Sequence, residues 1–152
     1  MYQVEKAKIS DVETIHALIN DAAKKNQMLP RSLQSLYENI RSFFVCRDHN
    51  GKVLGCCALE IAWKDMAEVR SLAVARRMRK HGIGAMLVEA CLTEAKGLGI
   101  KKVFTLTYVP GFFKKQHFRV VDKKKLPHKI WSDCIHCPHF PDCDEVALIK
   151  VL

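Results

Sequence analysis

Two glycines and a cluster of basic residues stand together at residues 76–84, between an apolar strand pattern and a helix pattern. Gly82 and Gly84 would let the main chain come close to a bound anion, and the free N–H groups of the first helical turn would point at that anion. The helix dipole adds a partial positive charge, to which four side chains add full charges: Arg76, Arg77, Arg79 and Lys80. We therefore predict that residues 76–84, called the phosphate loop below, bind a pyrophosphate.

The glycine spacing of the phosphate loop separates it from two common phosphate-binding motifs. The loop lacks the Gly-Lys-Ser/Thr sequence of the Walker motif, and it lacks the third glycine of the dinucleotide-binding pattern G-x-G-x-x-G. For a Gly-x-Gly sequence taken by itself, the alternative is an ordinary turn that starts a helix. The elements around the loop therefore decide how it is interpreted.

Apolar periodicity predicts an alternation of strands and helices along the chain. Strand patterns lie at residues 2–9, 43–46, 53–59, 68–74, 103–106, 119–121 and 146–152. Helix patterns lie at residues 10–22, 33–40, 85–96 and 112–117. The first helix is predicted to begin with a capping box at Ser10–Glu13, and residues 48–51 are predicted to form a hairpin turn.

Composition limits the class of protein. A chain of 152 residues is the size of one domain with a buried core, and its 49% hydrophobic content is typical of a globular protein. No apolar run approaches the roughly 20 residues of a membrane span, and the charged start of the chain is unlike a signal peptide. We therefore expect a cytoplasmic protein with a single domain over residues 1–152.

The net charge of +9 indicates an acidic partner. Nucleic acid, a membrane surface and a phosphate-rich cofactor are three such partners. The basic residues are dispersed except in the phosphate loop, and no nucleic-acid-binding motif is present. This pattern favours a phosphate-rich cofactor and a small-molecule substrate, without nucleic acid or membrane, and it leaves a homodimer open.

The pattern R-x-x-G-x-G after a strand, at residues 79–84, resembles the coenzyme A site of the GNAT acetyltransferase superfamily. Residues 112–118 resemble the F-Y-E-K-x-G-F segment of that superfamily, and the order of elements agrees over residues 1 to about 121. The resemblance implies an α/β GNAT fold: a mixed sheet of six to seven strands, helices on both faces, and a splay between strands four and five. It also implies acetyl-CoA as co-substrate, bound by Leu72, Val74, Arg79, Lys80, His81, Gly82, Ile83, Gly84 and Phe113.

Three further segments, at residues 36–45, 67–74 and 104–108, resemble the acetyltransferase domain of N-acetylglutamate synthase. This resemblance implies transfer of the acetyl group of acetyl-CoA to the α-amine of L-glutamate, the first step of arginine biosynthesis, by a short form that stands alone. Two alternatives stay open. One is an acetyltransferase for another small amine or a protein amine, and the other is a non-catalytic nucleic-acid-binding module that uses the basic surface and the Cys/His-rich tail.

Charged residues near the predicted splay have the types that this reaction requires. An ammonium group must lose a proton before it attacks a thioester, and Glu68 is the candidate base, with a surface carboxylate as the alternative. Arg70 is expected on the same face of the strand, where it would pair with a substrate carboxylate, or else with Glu68 or another carboxylate of the protein. Both Arg31 and Arg41 flank the helix that covers the acceptor site, and we prefer Arg31 as the second cation.

The general acid stays unassigned, because Phe113 stands where the superfamily usually has a tyrosine. Tyr108 is the nearest replacement, and solvent is the other. Coenzyme A has an ordinary thiol, so it can leave without a strong acid. The main-chain N–H groups of Leu72 and Val74 are expected to face the thioester and to stabilise the oxyanion of the tetrahedral intermediate.

The seven cysteines fall into two groups. Four lie in apolar patterns and are interpreted as buried hydrophobic residues: Cys46, Cys56, Cys57 and Cys91. Three have the spacing C-x2-C-x5-C in a Cys/His-rich loop at 128–145: Cys134, Cys137 and Cys143. A fourth metal ligand would come from the same loop: His128, His136, His139 or Asp142. A structural zinc site, a loop of reduced cysteines, and a disulfide with one free thiol are the three interpretations.

Overall fold

The computed structural model describes residues 1–126 and 145–152, and these residues build a mixed sheet of seven strands. The strands are β1 (Gln3–Lys6), β2 (Phe43–Arg47), β3 (Val53–Trp63), β4 (Met66–Val74), β5 (Lys102–Thr107), β6 (Arg119–Val120) and β7 (Val146–Val151). Their order in the sheet is β1-β2-β3-β4-β5-β7-β6, and within this sheet β4 and β5 are the parallel pair. The predicted GNAT-type sheet is confirmed.

The helices lie on both faces of this sheet, as predicted. They are α1 (Val12–Lys24), α2 (Leu33–Glu38), α3 (Ile83–Gly97) and α4 (Pro110–Lys115). Because neighbouring residues of a strand point to opposite faces, Phe43 packs with Ile15 and Leu36 of α1 and α2, while Phe44 packs on the side of Leu87 in α3. None of the described helices is long and apolar enough to cross a membrane.

The start of α1 differs from the prediction. β1 ends at Lys6, and a 3-10 turn at Ile9–Asp11 precedes the helix, so the capping box predicted at Ser10–Glu13 is wrong. The Asp11 carboxylate accepts one hydrogen bond from the main-chain N–H of Lys8 (2.8 Å) and two from the Arg47 guanidinium (2.9 and 2.7 Å). A bidentate ion pair is stronger than a hydrogen bond from a main-chain N–H to a neutral capping side chain. This difference explains why Asp11 pairs with Arg47.

Asp11 is expected to make stability depend on pH. Burial alone would raise the pKa of this carboxyl, but the hydrogen bonds from Arg47 and from the Lys8 N–H outweigh burial and hold its pKa below the ordinary value of 3.8. A depressed pKa stabilises the folded state above the pKa of the unfolded chain, and this contribution is lost as pH falls through the folded value. We expect Asp11→Asn to lower the free energy of unfolding by about 2–4 kcal/mol at neutral pH, because Arg47 then loses its most buried partner.

Urea denaturation of the wild type and of Asp11→Asn, at neutral pH and at about pH 3, measures this contribution. The difference between the two proteins should shrink as pH falls below the ordinary pKa of an aspartate, because the unfolded chain then binds a proton that the folded Asp11 carboxylate resists. Asp21→Asn is the matched control, because Asp21 is exposed and its ion pairs with Lys25 and Arg76 should contribute little at either pH. A difference that stays constant across this range would contradict the assignment.

Strands β4 and β5 separate after a short run of pairing. Glu68↔Phe104 is the last pair in their register, although β4 continues to Val74 and β5 continues to Thr107. On its other side β5 is paired with β7 along its whole length, so β5 stays in the sheet. A wedge-shaped gap therefore opens between β4 and β5 beyond Glu68. This wedge is the splay that the resemblance predicts.

The cysteines that the structure describes are buried, as predicted: Cys46, Cys56, Cys57 and Cys91. Burial raises the pKa of the Cys56 thiol to about 12, so this group stays protonated and behaves as a small hydrophobic side chain. The predicted metal ligands Cys134, Cys137 and Cys143 lie outside the described residues. Among residues 1–126 and 145–152, no group of His, Cys, Asp and Glu side chains is arranged to hold a metal ion.

Candidate active site

Strand β4 carries a β-bulge just beyond the point where it leaves β5. Ser71 has a φ angle of 58°, in the left-handed region that L-residues rarely adopt. The register with β3 slips by one residue at this point, from Ala58↔Arg70 to Cys56↔Ala73. Because a bulge inserts one residue into one strand, it redirects the main-chain groups that follow it.

The bulge turns the main chain of Leu72 and Val74 toward the splay. Before the bulge, the carbonyl of Val69 faces β5, where it accepts a hydrogen bond from the Thr105 hydroxyl (2.8 Å). After the bulge, the N–H of Ala75 donates to β3 (2.8 Å), and alternation along the strand places Leu72 and Val74 on the opposite edge. Their N–H groups therefore face the open wedge and not the neighbouring strand β3.

A small cavity of about 80 Å³ occupies the wedge. Phe113 lines it and is 3% exposed, since its ring packs edge-on against the rings of Phe112 and Phe118. Tyr108 directly follows β5, between two residues that line the same cavity. Phe113 thus gives the cavity an apolar wall, and Tyr108 is not one of the residues that line it.

The phosphate loop exposes the start of α3. Lys80 and Gly82 have φ angles of 70° and 79°, and α3 begins at the next residue after Gly82. Glycine has no side chain to cap a helix, so the first N–H groups of α3 are left to solvent or to a ligand. Arg79 donates a hydrogen bond to Gln27 Oε1 (2.7 Å), which ties the loop to the connection between α1 and α2.

Gly84 differs from Gly82 in what it contacts. A Cβ atom at Gly84 would lie 3.2 Å from the Phe112 ring, closer than an ordinary van der Waals contact, whereas a Cβ atom at Gly82 would meet no atom within 4 Å. Gly84 therefore lets α4 pack against the start of α3, a role that the sequence analysis did not foresee. Ile83, between the two glycines, is buried in the core, and His81 is exposed.

A second, polar pocket of about 440 Å³ lies between α2 and the sheet, and we call it the arginine pocket. Its lining residues are Pro30, Arg31, Ser32, Ser35, Asn39, Glu60 and Arg70. Arg70 also lines the wedge cavity, so the two spaces share a wall. The structure thus brings Arg31 and Arg70 together, while Arg41 is exposed in a 3-10 turn outside this lining.

The Arg31 side chain is 9% exposed and is held by several partners. It donates to Ser35 Oγ from Nε (3.2 Å) and from Nη2 (3.0 Å), and to Ser71 Oγ from Nη1 (3.1 Å). Its guanidinium also lies 5.4 Å from the centroid of the Phe43 ring. Burial lowers the pKa of Arg31, and the carboxylate of Glu60 opposes that effect.

Glu60 is a site residue that the sequence analysis missed. Its Oε1 accepts a hydrogen bond from Arg70 Nη1 (3.1 Å), and its Oε2 lies 3.5 Å from Arg31 Nη1. Glu60 is also the register partner of Glu68 across β3 and β4. The available signal was a single carboxylate directly after the apolar strand pattern at residues 53–59, which by itself indicates only the end of a strand.

Glu68 lies at the last paired position of β4 and β5, and its side chain is 12% exposed. Arg70 Nη1 is 3.9 Å from Glu68 Oε1, so the two side chains share a face of the sheet. Arg70 also contacts the nearer Glu60, which agrees with the alternative in which it pairs with a carboxylate of the protein. A carboxylate and a guanidinium thus meet at the mouth of the wedge.

The splayed strands, the exposed start of α3 and the polar pocket beside Glu68 define the class of acetyl-CoA-dependent N-acetyltransferases. Residues 11–118 match the acetyltransferase (GNAT) family, and the chain belongs to this family.

Individual relatives are similar to this chain over most of its length. An uncharacterized N-acetyltransferase of Chlorobaculum tepidum is 40% identical over 149 residues, which cover 98% of this chain and 96% of that protein. The amino-acid acetyltransferase of Mycobacterium tuberculosis is 35% identical over 132 residues, with coverages of 86% and 75%.

A solved structure of N-acetylglutamate synthase from Neisseria gonorrhoeae, complexed with coenzyme A and N-acetyl-glutamate, matches the fold with a TM-score of 0.91. The sequences are 26% identical, and the match covers 100% of this chain and 35% of the synthase. The chain therefore spans about a third of that enzyme.

Proposed function

We propose that the protein transfers the acetyl group of acetyl-CoA to the α-amine of L-glutamate, which is the first step of arginine biosynthesis. The observation that carries this proposal is the pair of guanidinium groups, Arg31 and Arg70, in one pocket beside the carboxylate of Glu68. An amino acid with carboxylates needs cations to hold it, and its ammonium group needs a base. The names of the similar amino-acid acetyltransferases support the same substrate class.

Acetyl-CoA is assigned to the wedge and the phosphate loop. The pyrophosphate would bind at the first N–H groups of α3, with Arg79, Lys80 and His81 around it. The thioester would lie along β4, where the N–H groups of Leu72 and Val74 face the wedge. Donors at these positions would stabilise the negative charge on the thioester oxygen as the amine attacks.

The reaction is assigned as direct attack of the amine on the thioester. Glu68 takes a proton from the ammonium group of the acceptor, and Arg70 holds an acceptor carboxylate. The nitrogen then bonds to the acetyl carbon and loses its second proton to solvent, and the bond from that carbon to sulfur breaks, so that the amide and the coenzyme A thiolate are formed. Tyr108 and solvent are the two sources of a proton for the departing thiolate, since Phe113 has none to give.

The competing acceptors are another small amine and a protein amine. The arginine pocket is polar and has a volume of about 440 Å³, which suits a small charged molecule better than a polypeptide. The experiment is a thiol-release assay with purified protein, acetyl-CoA and a panel of amino acids and peptides. L-Glutamate should have the highest kcat/KM, and a higher value for a peptide amine or an uncharged amine would overturn the assignment.

Gly82 provides a test of the acetyl-CoA site. We expect Gly82→Val to weaken acetyl-CoA binding by about tenfold or more, because the side chain would enter the space beside the first N–H groups of α3 and would strain a φ angle of 79°. Isothermal titration calorimetry measures the affinity. Gly51→Val is the matched control, since Gly51 has a φ of 82° and equally open surroundings in the hairpin turn between β2 and β3. Equal changes of acetyl-CoA affinity in the two variants would mean that the phosphate loop does not bind acetyl-CoA.

A further inference from the structure

The arginine pocket contains a carboxylate in the place where a substrate carboxylate would be expected to bind. Glu60 directs one oxygen to Arg70 (3.1 Å) and the other to Arg31 (3.5 Å). The Glu60 side chain is 13% exposed, so water screens its charge only in part. One carboxylate therefore bridges the two cations that the proposed function assigns to the acceptor.

The two arginines differ in how they are held. Three nitrogens of Arg31 donate to Ser35, Ser71 and Glu60, and its side chain is 9% exposed. The Arg70 side chain is 33% exposed and lines both the arginine pocket and the wedge. Arg31 is thus a fixed wall of the pocket, and the more exposed Arg70 lies at the boundary between the pocket and the wedge.

Glu60 also changes the charge of the pocket. Arg31 and Arg70 bring two positive charges, which Glu60 opposes from within the pocket. Glu68 adds a second negative charge 3.9 Å from Arg70. Without Glu60 the two guanidinium groups would repel each other, as the lowering effect of Arg70 on the pKa of Arg31 indicates. The carboxylate therefore both holds the arginines together and reduces the attraction of the pocket for a second negative charge on the acceptor.

We propose that Glu60 is a positioning residue that also determines specificity, setting the preference between acceptors with a charged side chain and acceptors with an amide side chain. This inference rests on the proposed function, because it takes an amino acid of the glutamate and glutamine type as the acceptor. Substitution of Glu60 by glutamine keeps the shape and one oxygen acceptor but removes the charge. The pocket then gains one unit of positive charge, which favours the side-chain carboxylate of glutamate over the neutral side-chain amide of glutamine.

The experiment measures kcat/KM for L-glutamate and for L-glutamine with the wild type and Glu60→Gln. We expect the ratio of glutamate to glutamine to rise about tenfold in Glu60→Gln, the size expected for one charge several ångströms away in a partly exposed pocket. Glu60→Asp, which keeps the charge on a shorter side chain, should retain the wild-type ratio even if both rates fall. Glu89→Gln, on an exposed position of α3 and across the sheet, is the control for a change in net charge.

Calorimetric titration with acetyl-CoA shows whether each variant keeps its fold and its donor site. Equal losses for both acceptors in Glu60→Gln, with an unchanged ratio, would mean that Glu60 is merely structural and would overturn the inference. A similar shift of the ratio in Glu89→Gln would also overturn it. Absence of turnover with both acceptors in the wild type would overturn the proposed function, which is a different result from an unchanged ratio.

Discussion

Replacement of Glu68 by glutamine is expected to lower kcat by about 10²–10³-fold, the contribution typical of a general base. Glu68 lies at the last paired position of β4 and β5, beside the N–H groups that face the wedge, and its side chain is 12% exposed. Glutamine has almost the same shape but cannot take a proton from the acceptor ammonium. The substitution should therefore change the rate of the chemical step and leave acetyl-CoA affinity within about twofold of the wild type.

The pH dependence separates a base from a structural carboxylate. As pH rises, a growing fraction of the acceptor amine is already unprotonated, so the deficit of Glu68→Gln should narrow in an initial-rate pH profile. Glu38→Gln, which removes an exposed carboxylate from α2, is the control and should follow the wild type throughout. A deficit that is constant across the profile, or a parallel loss of acetyl-CoA affinity, would show that Glu68 supports the architecture and is not the base.

Much of the architecture could be predicted because its signals are local. Alternating apolar residues identify strands, helical spacing identifies α1 and α3, and the turn at residues 48–51 joins β2 to β3 as expected. The element order then indicates which strands separate. The predicted capping box failed for a different reason: Asp11 is held by Arg47, which lies 36 residues away, and no local pattern contains that pairing.

The details of the site depend on contacts that no short window contains. A serine in a strand carries no signal for a left-handed φ, so the bulge at Ser71 could not be foreseen, although it is what turns Leu72 and Val74 toward the wedge. Gly84 has the same residue type as Gly82 but is required by the Phe112 ring. Glu60 becomes visible as a site residue only when β3, β4 and the residues before α2 meet.

Some features of the site are therefore easier to predict from the sequence than others. Residue types with strong local preferences, such as glycine at a positive φ, predict the turn before α3 from a few residues. Charged residues on a sheet face have several partners within reach, and the sequence does not rank them. Arg70 illustrates this, since its two anticipated uses, a carboxylate of the protein and a carboxylate of the substrate, compete for the same guanidinium.

Because a carboxylate of the protein and one of the substrate compete for Arg70, we expect Arg70→Lys to have the second large effect on activity. Arginine can contact Glu60 with one nitrogen and an acceptor carboxylate with others, because its donors lie in a planar fork. The ammonium group of lysine is a compact single charge, so it would form an ion pair with Glu60 and would not hold the acceptor carboxylate as well. We expect kcat/KM for L-glutamate to fall by about a hundredfold, while acetyl-CoA affinity in calorimetry stays close to the wild type.

Arg41→Lys is the matched control for this substitution, because Arg41 is an exposed arginine in the turn that follows α2 and does not line the arginine pocket. Its kcat/KM should stay within about twofold of the wild type. The double variant Arg70→Lys, Glu60→Gln gives the sharper test, since removal of Glu60 frees the new lysine for the acceptor. Partial recovery of glutamate turnover in the double variant is the expected result. If the double variant turns over no more glutamate than Arg70→Lys alone, or if Arg70→Lys retains full turnover, Arg70 does not hold the acceptor carboxylate and the pocket must be assigned to another group.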